Sequence, residues 1–333
     1  MSGTVIRQDG AKDRMLTTVA QPCPLCGSGE WSEPAGYGRD FEFASSADVW
    51  RCKRCRRCDV VYLDPRPDDR ELAGIYPPSY YAYTGHEERQ QAVLQGKSLV
   101  NRLRVGSYLK QIRGLRGRIL DIGCGEGEIL GFCEALGVAR ERLVGIDFKD
   151  EAIQAMRARG YEAVQTSLEA YRVPAGAFAL IIMNQIIEHV ANPREVIRAY
   201  AAGLEPGGVL FLETPNTRSL DFHLFGKRSW GGYDFPRHWV LFNIRSIRRL
   251  FDGTDLEIVR IRTLPQPFFW IWSIRHWLEE RRAPAAISRL VHWKNPALVA
   301  LLTLWDLPWV PWRLTGNLQV IARKRRGPEH ARG

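Results

Sequence analysis

Short apolar runs alternate with amphipathic stretches through the middle of this 333-residue chain. Ile119-Leu120, Leu143-Val144-Gly145-Ile146, Ala163-Val164, Phe178 to Met183 and Val209 to Leu212 read as strands. The run from Phe178 to Met183 is apolar at every position, as expected of a strand covered on both faces. Between the runs, apolar residues recur at helical spacing. One helix is predicted from the Gly123-Gly125-Gly127 turn to about Leu136, a second from Glu151 to Arg159 with Gly160 as its stop. A third starts at Pro193 behind an Asn192 cap and ends before Leu204-Glu-Pro-Gly-Gly208. Alternation of this kind predicts an α/β fold, a doubly wound and mostly parallel Rossmann-like sheet over residues 116–264. Leu256 to Leu264 reads as its sixth strand and Leu318 to Ala322, within 316–324, as its last.

Outside that core the pattern changes. Residues 1–20 read as a flexible tail, 69–115 as a helical linker that covers a pocket with Tyr80, Tyr81 and Tyr83, and 325–333 as a basic tail. Residues 265–315 read as a helical insertion before the last strand, holding seven of the eleven tryptophans. The segment FFWIWSIRHWL, Phe268 to Leu278, is almost wholly apolar, and Ala297 to Trp305 is apolar but far shorter than the ~20 residues that a membrane span needs. Two readings of the insertion stand. Its apolar faces pack on the domain or on a twin subunit, as in a homodimer, or its Trp and Arg residues meet a bilayer interface as a peripheral membrane contact.

Composition narrows the setting. Hydrophobic residues make up 45% and charged residues 25%, which is ordinary for a soluble protein. The opening MSGTVIRQDGAKDRM has no apolar core of signal-peptide length, and an odd count of seven cysteines argues against a disulfide framework. A reduced, cytoplasmic location is expected, with peripheral contact at the inner face of the membrane if the second reading of the insertion holds. The formal charge of +10 invites an anionic partner, but the excess is scattered.

Two groups of residues carry chemistry. The first is the cysteine set. Cys23-Pro-Leu-Cys26-Gly is a tight turn that lets two thiolates reach one ion, and Cys52, Cys55 and Cys58 follow about thirty residues on. Four thiolates complete a tetrahedral zinc site, so the second pair is Cys52/Cys55 or Cys55/Cys58. The latter is favoured because Cys58 leads into the strand-like Val60-Val61-Tyr62-Leu63. The predicted unit is a zinc ribbon over 21–68, structural because four thiolates leave no open position. Arg51, Lys53, Arg54, Arg56 and Arg57 form a solvated rim that offsets the thiolate charge.

The second group is the stretch RILDIGCGEGEIL from Arg118. Its glycines permit close backbone approach to a ligand, and the helix start behind them favours polar ligand groups. Asp147, at the tip of the next strand, is placed to bond ribose hydroxyls. A dinucleotide would favour GxGxxG. The GxGxG spacing and Asp121 at the end of the first strand instead suit a ligand with an ammonium, a ribose and no phosphate, namely S-adenosylmethionine. The predicted cofactor-binding set is Asp121, Gly123, Cys124, Gly125, Gly127, Asp147, Phe148, Ser167, Leu168 and Asn184.

These motifs resemble the class I S-adenosylmethionine-dependent methyltransferases. LDIGCGEG is similar to their first motif, VGIDF to the second, NQIIEHVANP to the region after the fourth strand, and LEPGGVLFLETPN to the fifth. The front half resembles a subgroup with an N-terminal zinc ribbon, in which CPxCG is followed by CxxC, an apolar strand and a Pro-Arg-Pro turn. That turn is Pro65-Arg66-Pro67 here, it aligns with Cys55/Cys58, and Asp59 stands where the subgroup usually has glycine. The resemblance implies methyl transfer to a sugar, polyketide or other small biosynthetic acceptor. His189 in QIIEH and His238 in DFPRH are the candidate bases for a hydroxyl or carbon-acid nucleophile. Some ubiquinone-pathway members carry Glu-x-x-Glu-His with a divalent metal. Gln185 replaces the first acid, so no catalytic metal is expected. Two alternatives remain: an RNA methyltransferase gripping phosphates with the basic ribbon, and a catalytically silent cofactor-binding partner protein. Asn-Gln-Ile-Ile after the fourth strand, in place of an Asn-Pro-Pro-Tyr motif, argues against nucleic acid.

Overall fold

The apolar runs read after Arg118 lie side by side in one sheet. The computed structural model describes residues 14–76 and 104–326, so the aromatic pocket cover at Tyr80 to Tyr83 and most of both tails fall outside the described residues. The chain divides into two units. One comprises Tyr81–Thr214, Ile247–Arg262 and Leu318–Gly333, the other Met1–Tyr80, Pro215–Ser246 and Thr263–Asn317.

The first unit carries a seven-stranded sheet. Its strands are β1 (Arg118–Ile122), β2 (Leu143–Asp147), β3 (Glu162–Gln165), β4 (Phe178–Asn184), β5 (Leu204–Pro215), β6 (Leu256–Leu264) and β7 (Asn317–Lys324). They run 6-7-5-4-1-2-3 across the sheet. β1 is parallel to both β2 and β4, β2 to β3, and β4 to β5. β7 runs against β5, since Gln319 bonds Glu213 while Arg323 reaches back to the Gly207 carbonyl. The winding therefore reverses between β1 and β4. In such sheets ligands bind outside the carboxyl ends of the strands at the reversal point.

Helices cover the sheet with the faces that the sequence periodicity assigns. Asp150–Ala158 buries Ala152, Ile153 and Met156, and Pro193–Gly203 buries Val196, Ile197, Tyr200 and Ala201. Both sets follow the i, i+1, i+4 spacing of one helical face. Asn192 holds the cap position of the second helix, but its side chain makes no capping bond. Ile119, Leu180, Ile182 and Phe211 meet Leu130, Ile153 and Met156 in the core. Each such side chain contributes about 1.5–3 kcal/mol through its burial.

The second unit joins segments that the sequence reading kept apart. Trp31–Gly38, Trp50–Cys55 and Val61–Leu63 form the ribbon sheet, and Val240–Leu241 adds a fourth strand beside Val61–Leu63. Residues 14–20, assigned to the tail, are tied down. Thr18–Val19 pairs with Arg66–Pro67, and the Leu16 amide donates to Asp48. The insertion consists of helices Pro267–Glu280, Ala285–Leu290 and Pro296–Asp306. Trp270, Ile271 and Leu302 pack together between the first and third of these. The turn Gly231–Tyr233 lies against Pro267–Glu280 so closely that a Cβ on Gly231 would stand 2.8 Å from the Phe269 carbonyl oxygen.

Candidate functional site

At the reversal point β1 ends and the chain turns sharply. Gly123, Gly125 and Gly127 have φ of +65°, +51° and +79°, a region open to glycine at no steric cost. The amides of Gly123 and Cys124 donate to the Ile146 carbonyl at 2.8 and 3.1 Å, which ties the turn to the tip of β2. Asp147 completes the tie, with Oδ2 accepting from the Gly125 amide at 3.0 Å and Oδ1 from Lys149 at 2.9 Å. Burial raises its pKa, and these backbone bonds oppose the rise. A Cβ on Gly127 would lie 2.0 Å from Met156 Sδ, whereas one on Gly125 would meet nothing within 4 Å. The turn is thus packed behind and open at Gly125. Cys124 is buried and its thiol pKa is pushed up by that burial.

Asp121, two residues before Gly123, is 2% exposed. Burial pushes its carboxyl up to about 8, with the charge of Asp147 adding to the rise and Arg104 opposing it. Arg104 is a residue that the sequence reading missed. Its guanidinium donates to Asn184 Oδ1 at 2.8 Å and Glu213 Oε2 at 2.7 Å, and it also bonds the Tyr108 hydroxyl. Gln319 Nε2 donates to the other Glu213 oxygen at 2.6 Å. Asn184, predicted to face the cofactor, is therefore engaged by Arg104. A signal for Glu213 was present in the sequence, as an acid inside the apolar run of β5.

The residues predicted to flank the adenine sit on the loops after β2 and β3. Phe148 is 51% exposed. Ser167 is exposed, with Oγ accepting from the Ala170 amide at 3.2 Å, and the Leu168 carbonyl accepts from Tyr200 at 2.9 Å. The Thr166 amide bonds the Asp147 carbonyl at 2.9 Å and holds this loop to β2.

The two histidines belong to different units. His189 is half-buried in the short turn Ile187–His189 of the first unit, next to buried Glu188, which accepts from Thr214 Oγ1 at 3.0 Å. His238 is buried in the second unit. Its Nδ1 lies 2.8 Å from the Gly232 carbonyl, and its Nε2 lies 3.8 Å from Asp234 Oδ2. A carbonyl only accepts, so Nδ1 carries the proton and Nε2 is the basic nitrogen. Burial lowers its pKa, against the pull of the Asp234 carboxylate. Arg237 braces this loop from a fully buried position, bonding Asp234 at 2.8 Å, Asp40 at 3.0 and 3.1 Å and the Ile75 carbonyl at 3.0 Å. Burial alone would raise Asp40, but the guanidinium holds it below its usual range.

Comparison with known proteins bears on the sheet unit. Residues 98–261 match the model of a family described as a methyltransferase domain. The match takes in the glycine turn and strands β1 to β5. The sheet over these residues is the mostly parallel α/β arrangement that the motifs imply. Among curated proteins, the chain is 33% identical over 132 residues to a ubiquinone biosynthesis O-methyltransferase of Bordetella bronchiseptica, across 37% of this chain and 53% of that protein. It is 26% identical over 180 residues to the protein of the same name in Idiomarina loihiensis, across 50% and 72%. The chain thus spans about half the length of the first of these relatives. Of solved structures, a methyltransferase from Archaeoglobus fulgidus aligns at 18% identity over 68% of this chain and 94% of its own, with a TM-score of 0.46. A plantazolicin methyltransferase aligns at 18% over 72% and 88%, with a TM-score of 0.45.

Ahead of the matched residues, the ribbon converges four thiols. Cys23, Cys26, Cys55 and Cys58 place their sulfurs within 4.8 Å of one another. The two CxxC turns are copies. The Gly27 amide donates to the Cys23 carbonyl at 2.8 Å, and the Asp59 amide to the Cys55 carbonyl at 3.0 Å. The residue after each second cysteine is left-handed, at φ +70° for Gly27 and +65° for Asp59. That conformation explains the glycine usual in the subgroup. Asp59 adopts it while its side chain bonds Arg54 at 2.9 Å and Asn243 at 3.0 Å. Cys23 and Cys58 lie 3.4 Å apart, and the contact lowers Cys23 to about 5 while raising Cys58. Cys52 is buried apart from this set, with its pKa raised by burial.

Proposed function

We propose that the chain transfers the methyl group of S-adenosylmethionine to a small-molecule acceptor, such as a sugar, a polyketide or another biosynthetic intermediate. The observation that carries this reading is the glycine turn, open at Gly125 and flanked by the buried acids Asp121 and Asp147. The residues fit the cofactor. Asp121 offers a carboxylate to an ammonium, Asp147 offers its remaining lone pairs to ribose hydroxyls, and neither position suits a pyrophosphate. The bound cofactor supplies a methyl group already activated on a sulfonium. The work left to the chain is alignment and water exclusion. Gly123, Cys124 and Gly125, bonded to β2, hold the turn rigid, and Phe148, Ser167 and Leu168 form the adenine side.

An acceptor hydroxyl must lose a proton. His189 and His238 are the candidates to take it. The naming of the curated relatives as O-methyltransferases supports an oxygen acceptor.

Cys23, Cys26, Cys55 and Cys58 would hold one zinc ion. The donor set fits, since all four ligands are thiols in matched turns, and a closed four-thiolate site serves the fold and not the chemistry. Among the described residues no helix is long and apolar enough to cross a membrane.

The test is transfer from methyl-labelled S-adenosylmethionine into fractionated cell extract. This reading predicts label in a low-molecular-weight fraction that nuclease leaves untouched. Label in nuclease-sensitive, acid-insoluble material would favour the RNA alternative, and cofactor binding with no transfer would favour the silent partner.

A further inference from the structure

The helix Pro296–Asp306 uses only one of its faces inside the protein. Leu302 and Asp306 are buried, the former against Trp270 and Ile271. The opposite face and the turn that follows are uncharged and exposed: Leu301 63%, Leu304 64%, Trp305 51%, Leu307 48% and Trp312 67%. A surface helix ordinarily turns polar residues outward, and a contiguous apolar patch of this kind marks an interaction site. Ring contacts from Trp305 to Trp309 at 6.3 Å and from Trp309 to Trp312 at 6.2 Å make one aromatic edge along it.

Charge decides the occupant. From Arg281 to Gly316 the chain has five Lys or Arg residues and a single acid, Asp306. That acid is turned inward, accepting from the Gln266 amide at 2.8 Å and from Trp270 Nε1 at 3.3 Å. Arg281, Arg282, Lys294 and Arg313 are exposed. The outward charge of this segment is therefore wholly positive, and Arg313 directly follows Trp312 of the Leu/Trp face. We propose that this surface docks on an anionic phospholipid bilayer, with Leu301, Leu304, Trp305 and Trp312 in the interfacial layer and the basic residues on headgroup phosphates. Tryptophan and leucine enter that layer readily, and basic residues near it are attracted by the surface potential. A second copy is the poorer occupant, because a twofold contact would set the same positive segment against itself.

The experiment is co-sedimentation of the full chain with vesicles of phosphatidylglycerol and phosphatidylcholine, against phosphatidylcholine alone. Binding to the anionic vesicles is expected, weakened by salt, and reduced at least about tenfold in the double variant Leu304→Ser with Trp312→Ser. Arg313→Glu should weaken it as well. All three positions are exposed, so S-adenosylhomocysteine binding and the circular dichroism spectrum should stay as in the parent chain and serve as the check on folding. The proposal is overturned if the protein remains in the supernatant at low salt, or if the variants bind as tightly as the parent. It is overturned equally if the double variant changes only a dimer to a monomer in sedimentation velocity, which would make a second copy the occupant.

Discussion

Affinity for S-adenosylhomocysteine should climb with pH because Asp121 starts out protonated. Its folded-state pKa, pushed up to about 8 chiefly by burial, means that most of the free protein holds a proton there at neutrality. An ammonium docked against the carboxyl favours the ionised form, so binding releases that proton. The sign follows from the raised value. Affinity is complete above about pH 8 and falls as pH drops, by up to about tenfold, or ~1.4 kcal/mol, for each unit. The same shift acts on folding without ligand. The folded state binds the proton more tightly than the unfolded chain, so stability falls as pH rises from the ordinary carboxylate range towards about 8. Calorimetric titration in two buffers of different ionisation enthalpy reads the proton count directly, and close to one proton per ligand is expected between about pH 6 and 7. Asp121→Asn should weaken binding at the alkaline end and remove the slope. A flat affinity with no proton release in the parent chain would refute the assignment of Asp121 to the ammonium.

Other substitutions probe the supporting parts. Gly127→Ala places a methyl 2.0 Å from Met156 Sδ at a φ of +79°. It should cost about 1–3 kcal/mol, read as a lower midpoint in thermal unfolding, and should impair ligand binding. Metal analysis of protein kept reduced should find one zinc per chain, and Cys23→Ser should loosen the ribbon in hydrogen exchange without abolishing S-adenosylhomocysteine binding. Arg237→Met leaves Asp40 and Asp234 buried without their cation, and denaturant unfolding should show a loss of about 3–5 kcal/mol.

Local pattern made the core legible. Strands β1, β2, β4 and β5 announced themselves because a sheet covered on both faces needs apolar runs, whereas the edge strand β3 showed only Ala163-Val164. The turn at Gly123 to Gly127 announced itself because only glycine sits easily at three positive φ values within five residues. The CxxC pairs were legible by the spacing of their thiols, and Asp59 shows how far the glycine rule stretches: an aspartate takes the glycine position when Arg54 and Asn243 hold its side chain. What escaped depends on contacts distant in sequence. Val240–Leu241 is two residues long, and nothing local marks it as the fourth strand of a ribbon that starts some two hundred residues earlier. Arg104 gains its meaning only from Asn184 and Glu213, which the sheet brings to it. The bond from His238 to its own loop is likewise invisible to motif reading, as is the ion pair between Arg237 and Asp40.

The central claim is that the open turn beside β1 is a cradle for S-adenosylmethionine, and the ribose contact of Asp147 tests it most directly. Calorimetry with S-adenosylhomocysteine should find one site per chain, and NAD should not compete for it. Asp147→Ala removes the carboxylate bonded to Gly125 and Lys149 as well as the ribose contact. It should weaken binding by about 1.5–3 kcal/mol, roughly ten- to a hundredfold. Unchanged affinity in that variant, or displacement of the ligand by NAD, would contradict the account.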